Sequence, residues 1–214
     1  MESATRSAPP VTGAARHHLK SRTHNLHEQL HALPAFVSLL DNTLDVPGYV
    51  AIMRRFREFY ARLDVEMLRA CSDYNVPEQL YYYQPREPMF AADVRALGCR
   101  SHEIVDVGCP MPDIHSVASL AGVAYVIDGS VLGGMTMNKS AAVLLGEDVI
   151  SGRSYWNWCR KNGLRQWHAA LSLVDHCWTV KESRATMPDA ATQTFEALNV
   201  WLSADREDAG AIGS

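Results

Sequence analysis

The chain has no CxxC pair, no run of lysine and arginine, and no charge-free apolar stretch of membrane length. Its five cysteines, Cys71, Cys99, Cys109, Cys159 and Cys177, are odd in number and widely spaced. That argues against a disulfide framework or a zinc ribbon and for a reducing, cytoplasmic setting. A formal net charge of −4 without a basic run leaves no electrostatic footprint for nucleic acid. The most apolar segment, from Val117 to Leu132, is interrupted by Asp128 and carries glycines within or just beyond its end. A membrane span asks for about 20 mainly apolar residues, so a buried helix is expected there and no membrane partner. Neither GxGxxG nor GxxxxGK occurs, which leaves no phosphate-cradling loop. With no flavin or nicotinamide motif, electrons for any redox reaction must come from outside.

What the sequence does have is apolar residues in helical register. At 47% hydrophobic composition, 214 residues suffice for one large core, and neither an internal repeat nor a low-complexity linker divides them. The first fourteen residues mix Ser, Thr, Pro and Gly without an apolar stretch. They are expected to be a tail, as are residues 203–214, around a single domain spanning 15–202.

Leu19, Leu26, Leu30 and Leu33 mark one buried face of a first helix that Pro34 ends, followed by a short apolar turn from Ala35 to Leu40. Asp45 and Pro47 start a long helix that Tyr49, Ile52, Met53, Phe56, Phe59, Tyr60, Leu63 and Met67 carry to Cys71. Tyr81 to Pro85 reads as an extended connection, and Met89 to Leu97 as a short helix closed by Gly98. A further helix runs from Asp113 to Leu145, then one from about Gly163 to Trp178 and one from Pro188 to Leu202. Strand-like alternation is weak and confined to Ile104 to Val107. The expected fold is all-α, with seven or eight helices.

Three groups of residues point to chemistry. His24, His27 and His31 lie on neighbouring strips of the first helix, where a metal site is conceivable and a histidine-rich surface is the plainer reading. His27 sits at the edge of the leucine face and should point inward, as a core histidine or as a ligand. Gly129, Gly133 and Gly134 each cost about 1 kcal/mol relative to alanine inside a helix. They serve either close helix packing or the approach of a flat object to bare backbone. Lys161 and Arg165 fall at the expected start of a helix, where the dipole does not favour cations, so they read as a solvated turn or as partners of an anion.

The run Leu19-Lys-Ser-Arg-Thr-His-Asn-Leu-His27 resembles the first helix of haem oxygenases, and Gly129-Ser-Val-Leu-Gly-Gly134 resembles their kinked distal helix. The similarity extends from Leu19 to Leu202, including Thr194-Phe-Glu-Ala-Leu-Asn-Val-Trp-Leu202, and is greatest to the bacterial branch that accompanies phytochromes and iron acquisition. The resemblance implies a haem-oxygenase-like fold with haem between the first helix and the glycine-kinked helix. It implies His27 as the proximal iron ligand, Gly129, Ser130 and Gly133 as the catalytic distal face, and Lys20, Thr23, Gly134, Lys161 and Arg165 against the haem. The implied reaction uses O2 and electrons from an external reductase or ferredoxin to open haem to biliverdin, with release of ferrous iron and carbon monoxide. A bacteriophytochrome is implied as a receiver of biliverdin. Ser130 stands where animal-type members carry an aspartate, and Ala124 where they carry a tyrosine.

Two other classes compete. A haem carrier or sensor would keep His27 without turning haem over. A dinuclear metal enzyme on a helical fold needs two Glu-x-x-His pairs, and only Glu28-x-x-His31 fits.

Overall fold

The computed structural model describes residues 13–99 and 108–203. Among these, seven helices and no strand occur: α1 (Ala14–His31), α2 (Pro34–Leu40), α3 (Val46–Asp73), α4 (Glu87–Ala96), α5 (Val117–Leu145), α6 (Ser154–Trp178) and α7 (Ser183–Ser203). The chain is therefore all-α, and the strand-like segment Ile104 to Val107 lies outside the described residues.

Some helix ends follow local rules. Asp45 accepts a hydrogen bond from the Gly48 amide and Pro47 occupies the first turn, so α3 starts where its cap lies. Gly98, at a φ of +83°, closes the chain beyond α4 in a conformation that other residues rarely adopt. Four boundaries depart from the sequence reading, one of them that of α7, which starts at Ser183 rather than Pro188 and holds Pro188 within it. The apolar turn after Pro34 is the seven-residue helix α2. Helix α5 starts at Val117 rather than Asp113, because Ser116 and Ser119 form a reciprocal capping box there. Helix α6 starts at Ser154, well before Gly163, which moves Lys161 and Arg165 from a helix start to mid-helix.

The early start of α6 has a distant cause. No side chain next to Ser154 caps the helix. The carboxylate of Asp93 in α4 does so, accepting from the amides of Ser154 at 2.7 Å and Tyr155 at 3.0 Å. Asp64 of α3 likewise caps α4, accepting from the amides of Arg86 at 2.8 Å and Glu87 at 2.7 Å. Burial pushes both carboxyls up, and the hydrogen bonds they accept work against that rise.

Helix α5 is the centre of the fold and packs most extensively on α6 and α7. By length and composition it is apolar enough to cross a membrane, yet 72% of its most apolar window is buried. Small residues let its neighbours approach. A Cβ on Gly122 would meet the Met187 carbonyl oxygen of α7 at 2.2 Å, and one on Gly134 would meet Cys159 Sγ of α6 at 2.7 Å. Helix α1 lies against α7 and α6, with Ala15, Leu19, Thr23 and Leu30 buried and an adjacent strip facing an open cleft.

Candidate functional site

The cleft between α1, α5, α6 and α7 contains a cavity of about 310 Å³. From α1 it is lined by Arg16, Lys20, Thr23, His24, His27 and His31, residues three or four apart along one helical strip. Helix α5 supplies Tyr125, Val126, Gly129, Ser130, Gly133, Gly134 and Met137 opposite. Aromatic rings close the remaining walls: Phe56 and Tyr60 of α3, Tyr155, Trp156 and Trp167 of α6, and Phe195 of α7.

His27 faces this cleft rather than the packed core. Its side chain is 48% exposed, so the expected inward orientation holds only in the sense of facing the cavity. The ring packs beside that of His31 and has two further neighbours. The Phe195 ring meets it edge-on at a centroid separation of 5.9 Å, and its Nδ1 lies 3.2 Å from Glu28 Oε1. An imidazole protonated on Nδ1 donates that bond and leaves Nε2 as a basic nitrogen for a ligand. The bond to His27 is the largest cause that lowers the Glu28 pKa. The amide of Asn199 reaches across from α7 to donate to the Leu26 carbonyl, tying this turn of α1 in place.

The three glycines separate by function. Gly134 is required by packing, since its Cβ would collide with Cys159. A Cβ on Gly129 would stand 3.3 Å from the Trp167 ring, a tight contact that the ring must yield to. Gly133 is different: a Cβ there would meet nothing within 4 Å, and the residue lines the cavity. Packing therefore accounts for Gly134 but not for Gly133, which leaves bare helix backbone facing open space. Helix α5 continues without a break through all three.

Ser130 also lines the cavity, but its hydroxyl donates to the Ile127 carbonyl at 2.7 Å, so toward the cavity it offers an acceptor. The Thr23 hydroxyl is likewise engaged, donating to the Leu19 carbonyl at 2.8 Å. Lys20 is at the cavity rim, whereas Lys161 and Arg165 are exposed on α6 and do not line it. Arg16, which sequence reasoning passed over, does line it and stacks over the Trp167 ring at 5.7 Å. The signal was available, because Arg16 is four residues before Lys20 and eleven before His27 on the same strip. His24 and His31, read as surface residues, face the cleft as well. Partial burial and the neighbouring His27 lower the His31 pKa, which favours its neutral form.

Behind the glycine helix lies a buried polar network. Asp128, next to Gly129, pairs with Arg86, and both side chains are wholly buried. Tyr81 donates to Asp128 at 2.7 Å and Gln166 reaches it at 3.4 Å. Burial works against the charge on Arg86, but Tyr83 and Asp128 hold it protonated well above the ordinary arginine range. The guanidinium also lies near the rings of Tyr60, Tyr83 and Trp158, and Tyr60 forms part of the cavity wall. Burial pushes the Tyr60 hydroxyl up to about 12, so it stays protonated at neutral pH.

No family model matches this chain. No curated protein matches it.

Proposed function

We propose that the chain is a haem oxygenase that opens haem to biliverdin with release of ferrous iron and carbon monoxide, taking electrons from an external reductase or ferredoxin. The observation that carries this reading is that His27 and the bare backbone at Gly133 line one aromatic-walled cavity. The donor set suits haem as a substrate: the His27 imidazole, two cations at the rim, and apolar walls for the macrocycle. When bound, the haem iron supplies the centre at which dioxygen is activated.

The chain's own residues hold and shield the substrate. Glu28 orients the His27 ring so that Nε2 is the ligating nitrogen. Arg16 and Lys20, which line the cavity, offer positive charge to the propionates. Gly129 and Gly133 keep side chains off the opposite wall, so the helix backbone could approach a bound ring closely. The Ser130 hydroxyl, whose proton goes to the Ile127 carbonyl, has its oxygen left to accept from a water there. Phe56, Trp156 and Phe195 exclude bulk solvent from the apolar wall.

A haem carrier would use the same residues to bind, so turnover is the discriminating measurement. Haemin is added to the purified protein, followed by an electron donor and air. Decay of the Soret band into a biliverdin spectrum is expected, and the native axial-ligand spectrum is expected to be lost in His27→Ala. A Soret band that persists through electron delivery leaves only the carrier reading, and an unchanged spectrum in His27→Ala overturns the ligand assignment.

A further inference from the structure

His27 and His31 bracket the segment His27-Glu28-Gln29-Leu30-His31 on α1. Two histidines four apart on a helix share one face, and with a glutamate after the first they have the residue order by which helical zinc enzymes hold their metal. Both imidazoles line the cavity, and their ring centroids are 4.2 Å apart. We propose that His27 and His31 form a chelating site for a divalent cation of the zinc type, and that this cation competes with haem for His27.

The geometry suits a shared ion. Two nitrogens on one tetrahedral zinc are about 3.3 Å apart, given Zn–N bonds of about 2.0–2.1 Å. Rings this close reach that separation by turning about their own side-chain bonds. Glu28 Oε1 is 3.2 Å from His27 Nδ1 and 4.0 Å from His24 Nδ1, so a carboxylate backs the ligating ring, as it does behind many metal-bound histidines. Among the described residues no three or more His, Cys, Asp or Glu side chains are gathered to enclose a metal. The site is therefore an open, two-imidazole one whose remaining positions face the cavity and solvent. Cation binding rests on α1 alone, whereas the competition rests on the haem-oxygenase reading of His27.

The test is calorimetric titration of zinc chloride into the haem-free full-length chain, repeated with His27→Ala, His31→Ala and His31→Gln. Both His31 variants alter an exposed position, and two replacements guard against an effect peculiar to one. One zinc per chain is expected, weakened roughly tenfold or more when either imidazole is removed, since even outer-shell losses have effects of that order. Zinc binding that survives all three substitutions overturns the site. Haemin titration with and without zinc then separates the two ideas. Zinc should raise the apparent haemin Kd in the wild type and much less in His31→Ala. Zinc bound at the pair without effect on haemin uptake overturns the competition and the role of His27 in haem binding, while leaving the metal site standing. Haemin bound through His27 in a protein that takes up no zinc overturns the metal site alone.

Discussion

Replacing Gly133 and Gly134 separately by alanine sets a functional glycine against a packing one. Alanine is favoured over glycine inside a helix by about 1 kcal/mol, partly because the unfolded chain has less freedom to lose. At Gly133 the new methyl meets no atom within 4 Å, so nothing offsets that gain. Gly133→Ala should stabilise the protein by about 0.5–1 kcal/mol, and each kcal/mol moves the Tm of a chain this size by about 2–4 °C. At Gly134 the methyl would stand 2.7 Å from Cys159 Sγ, 3.1 Å from Cys159 Cβ and 3.3 Å from the Trp156 ring. Both neighbours are buried in α6, and the nearer, Cys159, is wholly enclosed. Overpacking of this kind costs about 1–3 kcal/mol, so Gly134→Ala should be destabilising even after its propensity gain. Thermal and urea unfolding followed by circular dichroism measure both. The methyl at Gly133 also enters the cavity, so this more stable variant should take up haemin less well and form biliverdin more slowly. Gly133→Ala that is less stable than wild type would refute the packing argument. A stabilised Gly133→Ala with wild-type haemin uptake and turnover would refute the assignment of Gly133 to the haem face.

Charge reversal at the cavity rim, Arg16→Glu with Lys20→Glu, should weaken haemin binding in a Soret titration, whereas Lys161→Glu with Arg165→Glu should leave it near wild type. Equal losses in the two double variants would return Lys161 and Arg165 to the site. Arg86→Met removes one half of a wholly buried ion pair and leaves Asp128 uncompensated, which should cost about 3–5 kcal/mol in unfolding free energy. A loss below about 1 kcal/mol, the range of an exposed ion pair, would show that the pair is not shielded as described.

Much of the fold was legible because its signals are local. The leucines of α1, the Asp45 cap of α3 and the Gly98 stop after α4 are read within a few residues of the boundary they set. The start of α6 was not legible, because its cap comes from Asp93, 61 residues earlier in the chain. Without that cap, the turn of Tyr155 to Cys159 has an apolar pattern but no start signal, and Gly163 looks like the boundary. The misplaced start put Lys161 and Arg165 at a helix end, whereas both lie mid-helix, so the dipole argument for them falls and the resemblance alone still points to them. The same holds for Arg86 and Asp128, whose pairing joins positions 42 residues apart.

The site followed a related rule. His27, Gly129 and Gly133 could be singled out because each is unusual for its place in a helix, and the cavity brings them together. Arg16 and Trp167 are ordinary residues for their positions, and only the packing of α1 on α6 gives them a shared role. Their stack lies beside Gly129, whose added Cβ would press on the same indole ring. One wall of the cavity thus links a rim cation to the glycine helix through a single aromatic side chain. A change at Trp167 should therefore alter both the cation at the rim and the backbone face beyond it, whereas a change at Lys20 should touch the rim alone.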